Sequence, residues 1–132
     1  MGAWEAGSFD NDDAADWVND FSDEPSRKLI ESTLKAVTDI GDEYLEAPES
    51  SMAIAAAEVV AALQNAPHPK LPEGLQEVVS NSKIASDKNL VNLALKAVER
   101  VKTNSELKEL WEEGDASEWL TAINSLEERL KL

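Results

Sequence analysis

Between positions 5 and 24 the chain carries eight acids, Glu5, Asp10, Asp12, Asp13, Asp16, Asp20, Asp23 and Glu24, and no base. Carboxylates at that density could hold a hard cation, because calcium and magnesium take oxygen ligands. The best-defined arrangement is the EF-hand loop, which needs a glycine at its sixth position and a glutamate at its twelfth. Counted from Asp10, those positions hold Ala15 and Phe21, so the pattern fails. Asp12 and Asp16 are four apart and share one face of a helix, where they could form a looser site or simply face water. Asp12 and Asp13 also suit the first turn of a helix, whose dipole favours carboxylates there. Capping and solvation account for the segment, and no metal or cofactor is assigned to it.

Other chemistry is poorly supplied. There is no cysteine, which removes disulfides, thiol nucleophiles and thiolate metal sites. The single histidine, His68, lies within Pro-His-Pro, whereas zinc and di-iron sites draw on several histidines or on paired glutamate and histidine. A serine nucleophile needs a positioned base, and Gly7-Ser8-Phe9 is no nucleophile elbow. The five glycines are scattered at 2, 7, 41, 74 and 114, so no phosphate-cradling loop is present. Glu58 stands alone as an acid in the apolar run Met52–Leu63. A buried charge there must neutralise or find a partner. The expectation is that Glu58 reaches the surface or pairs with a Lys or Arg; a second carboxylate nearby, Glu46 or Glu49, would instead suggest shared acid–base work.

The whole chain is strongly acidic: 27 acids against 12 bases leave a net charge of −15 on 132 residues. That field repels phosphate backbones, so nucleic acid is not an expected partner. It favours encounter with a basic protein, and it opposes self-association, so a monomer is expected. A second acidic zone comprises Glu109, Glu112, Glu113, Asp115 and Glu118. The 52–63 run is too short to span a bilayer core of ~30 Å, and the start has neither a basic region nor an apolar stretch like a signal peptide. A soluble, cytoplasmic, non-membrane protein is expected.

The elements that must position these groups are helical. Apolar residues recur with helical period from end to end, and no segment sustains strand alternation. A first helix follows Asp10 or Asn11, with Ala14, Trp17, Val18 and Phe21 on one face. A second starts at Pro25 as first helical residue, carries Ile30, Leu34 and Val37, and stops near Gly41. Pro48 opens a third, apolar nearly all round, which must be central. After the loop at 65–74, Leu75, Val78 and Val79 mark a short helix. Ser86 caps a helix with Leu90, Leu93, Ala94, Ala97, Val98 and Val101; Asn104 or Ser105 begins one with Leu107, Leu110 and Trp111, closed by Gly114. Asp115 and Glu118 form a capping box for the last, lined by Trp119, Leu120, Ile123, Leu126 and Leu130. The prediction is an all-α single domain over residues 1–132, with six to seven short amphipathic helices around a central apolar helix at 52–63. Trp17, Trp111 and Trp119 belong to the core, and Trp4 and Phe9 anchor the start of the chain.

Three stretches also carry a resemblance: the opening MGAWEAGSFDNDDAADW, the centre YLEAPESSMAIAAAEVVAAL and the end ELKELWEEGDASEWLTAINSLEERL. They resemble a bacterial family whose members open Met-Gly-(Ala/Thr)-Trp-Gly-x-Gly-x-Phe-Asp-Asn-Asp, the domain-of-unknown-function family numbered 4259. Glu5 departs from that pattern, standing where the family usually has glycine. The resemblance spans essentially the whole chain and implies a fold in common, but no activity. The expected function is a non-enzymatic acidic interaction module, in concrete form an immunity-type inhibitor covering the basic cleft of a toxin. Its contact residues are expected among Asp10, Asp12, Asp13, Asp16, Asp20, Asp23 and Glu24, and in the second acidic zone. The competing expectation is a small carboxylate- or divalent-metal-dependent hydrolase using Glu58 and Asp16.

Overall fold

A computed structural model describes residues 12–68, 71 and 73–131. Trp4, Phe9 and Asp10 lie outside the described residues. The rest form seven α-helices: α1 (Asp12–Asp23), α2 (Arg27–Thr38), α3 (Ala47–Leu63), α4 (Glu73–Ser82), α5 (Lys88–Thr103), α6 (Glu106–Glu112) and α7 (Ser117–Leu130). The fold is all-α, as the periodicity predicts.

Helix α3 is the axis. Ala53, Ala55, Ala56, Ala57, Val59, Val60 and Ala61 are fully buried, so no face of its middle turns meets water. Alanine permits this, because a side chain of one methyl lets neighbouring helices approach from several directions. α2 and α5 pack on α3 and on each other; α1, α4, α6 and α7 complete the shell. One hydrophobic cluster joins Phe21 of α1, Leu34 of α2, Val98 of α5 and Leu126 of α7 to α3.

Arginines set the directions. Arg27 at the start of α2 donates to the Ala85 carbonyl and to Asp87, the N-cap of α5, at 3.2 and 3.1 Å. Arg100 near the end of α5 donates to the carbonyls of Gly41 and Glu43, just past α2, at 2.7 and 2.8 Å. The two helices therefore run parallel, starts together and ends together. Gly41 turns the chain there with φ of +66°, a left-handed conformation that glycine adopts without a Cβ penalty.

α3 is finished at each end by different means. At its C-terminus Asn65 adopts φ of +66°, and the N–H groups of Asn65 and Ala66 return to the carbonyls of Ala62 and Ala61. This is a Schellman motif with asparagine in the left-handed position. At its N-terminus Glu46 supplies no side-chain cap. Instead Glu106 of α6 accepts the Ala47 N–H at 2.8 Å, while its own N–H donates to the Leu45 carbonyl at 2.8 Å.

Several local expectations need correction. Pro25 is not the first residue of α2, because Ser26 is the N-cap and its hydroxyl accepts from the Leu29 N–H at 3.0 Å. Asp87, not Ser86, caps α5, accepting from the Leu90 N–H at 2.9 Å. The buried Ser86 hydroxyl has no hydrogen-bond partner among the described residues. The capping box at α7 does not form: Ala116 holds the cap position, and Asp115 accepts from Ser117 N–H. Leu110 and Leu120 are exposed rather than interior, and Trp111 is only partly buried against the core.

Asp87 carries a testable pH dependence. The Arg27 guanidinium, followed by the Leu90 N–H, holds its carboxyl below the ordinary value of 3.8. A carboxylate depressed on folding adds stability that is complete above its unfolded pKa and is lost as pH falls through its folded one. Asp87→Ala should therefore lower the melting temperature at neutral pH, and the gap from the parent should close as pH drops below 3.8. Thermal unfolding followed by circular dichroism across that range checks this.

Candidate functional site

The acids of the first helix are on the surface, and the packing explains why. Ala14, Trp17 and Phe21 are buried against the body, so Asp12, Asp13, Asp16, Asp20 and Asp23, with Glu24 just beyond, are turned outward. Asp12, Asp16 and Asp20 succeed one another at four-residue steps along one ridge. Trp17 seats the helix: its indole N–H donates to the Thr33 hydroxyl at 2.7 Å, and its ring stacks on Phe21 at 5.3 Å. Near the end of α1 lies an open depression of about 550 Å³, lined by Asp20, Asp23, Glu24, Ser26, Lys28, Leu29 and Ser32. Lys28 thus enters an acid group that contains no base in sequence.

The second zone is also exposed at Glu109, Glu112, Glu113, Asp115 and Glu118. Several of its members are already engaged. Both carboxylate oxygens of Glu112 take Lys108 Nζ at 2.9 Å. Asp115 accepts from the Ser117 backbone N–H, which holds its carboxyl below the usual value. Glu109 accepts the hydroxyl of Tyr44. The helix of the first zone, α1, rests on α3 and α4, whereas α6, which carries Glu109 and Glu112, rests on α3 and α5.

Tyr44 and Glu106 are the residues that sequence reasoning missed, Tyr44 because Asp42–Pro48 reads as a linker; Glu46, a candidate partner for Glu58 in sequence, stands beside Tyr44 instead. Tyr44 is the sole tyrosine and is 57% exposed. The hydrogen bond to Glu109, desolvation and the nearby Glu109, Glu106 and Glu46 carboxylates push its hydroxyl up to about 12. The phenol thus stays neutral through the physiological range. A lone tyrosine flanked by Asp42, Glu43 and Glu46 was the available signal.

Of the two expectations for Glu58, the surface fails and the cationic partner holds. Glu58 is fully buried, and its two oxygens meet Arg129 Nη1 and Nη2 at 2.6 and 3.2 Å. Arg129 Nε also donates to the Ser125 hydroxyl at 3.3 Å, and Nη1 to the Ala66 carbonyl at 3.4 Å. Glu49 of α3 and the N-cap Glu46 precede Glu58 by nine and twelve residues, about 14 and 18 Å along the helix axis, so neither carboxylate is paired with it. His68 is half-buried in the loop after α3. Among the described residues no three His, Asp or Glu side chains are grouped so as to hold a metal ion. No helix among them is long and apolar enough to cross a membrane.

A family model described as a domain of unknown function, DUF4259, matches residues 2–122. No curated protein and no solved structure matches the chain.

Proposed function

The chain belongs to the DUF4259 family, and from that premise we propose that it is a non-enzymatic interaction module whose acidic helical surface binds a basic protein. The form we favour is an immunity-type inhibitor in the bacterial cytoplasm, monomeric when alone, that covers the basic cleft of a toxin. One observation carries the reading: Asp12, Asp13, Asp16, Asp20 and Asp23 are presented outward on a helix whose other face is locked to the core, and Glu24 just beyond it is exposed as well. A net charge of −15 extends their field and would raise the association rate with a cationic surface. The carboxylate pairing that acid–base catalysis would need is not supported at Glu58, whose side chain is committed to Arg129.

The test is a capture of partners from host lysate at low ionic strength, followed by kinetics with the purified partner. A single stoichiometric basic protein should be retained. Its association rate should fall by about tenfold or more on raising salt to about 0.5 M, with dissociation changing less. Converting Asp12, Asp13, Asp16 and Asp20 to asparagine should reproduce much of that fall. Capture that ignores both salt and these substitutions would sink the electrostatic reading.

A further inference from the structure

Only three large hydrophobic side chains are exposed among the described residues: Tyr44, Leu110 and Leu120. Two of them belong to the corner where α6 meets the start of α3. Glu106 and Glu109 of α6 reach across to Ala47 N–H and to the Tyr44 hydroxyl, and Leu110 follows one turn beyond Glu106 on the same helix. The tether to Glu109 holds the aromatic ring in place while most of it stays in water. A ring already fixed in position loses little freedom on binding.

The charge around the ring selects the partner chemistry. Glu46, Glu106 and Glu109 all act electrostatically on the Tyr44 hydroxyl. The nearby cations are committed elsewhere: Lys108 to Glu112, and Arg100 to the carbonyls of Gly41, Glu43 and Asn104. An aromatic face with a carboxylate rim suits a guanidinium better than an ammonium. Guanidinium is planar and weakly hydrated, stacks on aromatic rings, and pairs with carboxylates in a two-pronged geometry. We propose that this corner, with Tyr44 as platform, Glu46, Glu106 and Glu109 as counter-ions and Leu110 as the contact for the aliphatic stem, docks an arginine side chain of a basic partner protein. The inference rests on the basic-partner reading above and adds to it a place and a residue type.

Because Tyr44 is the only tyrosine, its ring resonances can be followed by NMR in the full chain without ambiguity. The probes are a hexa-arginine and a hexa-lysine peptide at low salt. The arginine peptide should shift the Tyr44 ring signals and bind about fivefold more tightly than the lysine peptide. Tyr44→Ala should remove that preference, with circular dichroism confirming that this surface variant stays folded. Glu109→Gln should weaken it, and the combined Asp12→Asn, Asp13→Asn, Asp16→Asn and Asp20→Asn variant should leave it intact. Equal binding of the two peptides, unaffected by Tyr44→Ala but lost on neutralising α1, would overturn the docking site and leave the basic-partner reading standing. If neither peptide binds at low salt, both are overturned.

Discussion

Arg129→Ala should lower the free energy of unfolding by about 3–5 kcal/mol, because it takes the guanidinium away from the buried Glu58 carboxylate. Glu58 has no solvent exposure, and Arg129 keeps only 12% of its side-chain surface in water. Coulomb attraction offsets the desolvation of both groups only while both are present. Replacing Glu58 and Arg129 together with methionine should therefore restore much of the lost stability, since a well-packed apolar pair in place of a buried ion pair is often neutral or better. Urea denaturation of Glu58→Met, Arg129→Met and the double variant forms the cycle that measures this coupling. Additive losses, or a single-variant loss under about 1 kcal/mol, would show that water reaches Glu58 and that the pair contributes little.

The pair also has a positional role. Gln64 Nε2 donates to the carbonyls of Arg129 and Leu130 at 2.7 and 3.0 Å, so the end of α7 is fastened to the end of α3 by polar contacts on both sides of the junction. Lys102 and Glu127, at 2.9 Å, tie α5 to α7 nearby. Packing alone could let α7 slide by a turn along its neighbours. A forked salt bridge with one acceptor position removes that freedom.

Trp17→Ala should cost about 3–5 kcal/mol, the range for removing a large buried aromatic side chain. Trp17 is 3% exposed, lies nearly parallel to Phe21 with 9° between the rings, and bridges α1 to α2 through Thr33. Thr33 in turn donates to the Leu29 carbonyl at 2.7 Å, so the indole N–H joins a short chain of hydrogen bonds. Trp17→Phe keeps most of the apolar contact and should lose far less. Hydrogen exchange adds the functional reading: amides of 12–23 should exchange faster in the alanine variant while those of α3 and α5 stay protected. Uniform acceleration across the chain would mean instead that α1 does not open on its own. If the outward acids of α1 guide a basic partner, the alanine variant should also associate more slowly than the phenylalanine one.

The helices were legible because their cause is local. Ala14, Trp17 and Phe21, or Leu90, Ala94, Ala97 and Val101, repeat at the period of the backbone helix, and the buried sides of α1 and α5 follow that repeat. The near-continuous apolarity of 52–63 likewise signalled a helix with neighbours all round, and α3 is that helix. Start signals were less secure where two residues competed. Pro25 and Ser26 both favour a helix start, and a hydroxyl that can accept the Leu29 N–H takes the cap while proline stands outside it. Ser86 loses to Asp87 because the aspartate can accept from Leu90 and pair with Arg27 together. Leu110 failed as a core residue because α6 has only seven residues and buries none of them.

From residues alone came the class of fold, the stripes that would be buried, the acidic balance and the oddity of Glu58 as an acid in an apolar run. These depend on composition and on periods of three to four residues, which neighbours in the chain set by themselves. Tertiary structure decided that Glu58 pairs with Arg129, 71 positions away, that Glu106 completes the start of α3, and that Tyr44 stands among carboxylates from two segments. Those pairings join elements whose separation in sequence carries no information about their separation in space. Only the packing of α6 and α7 against α3 brings their side chains within reach.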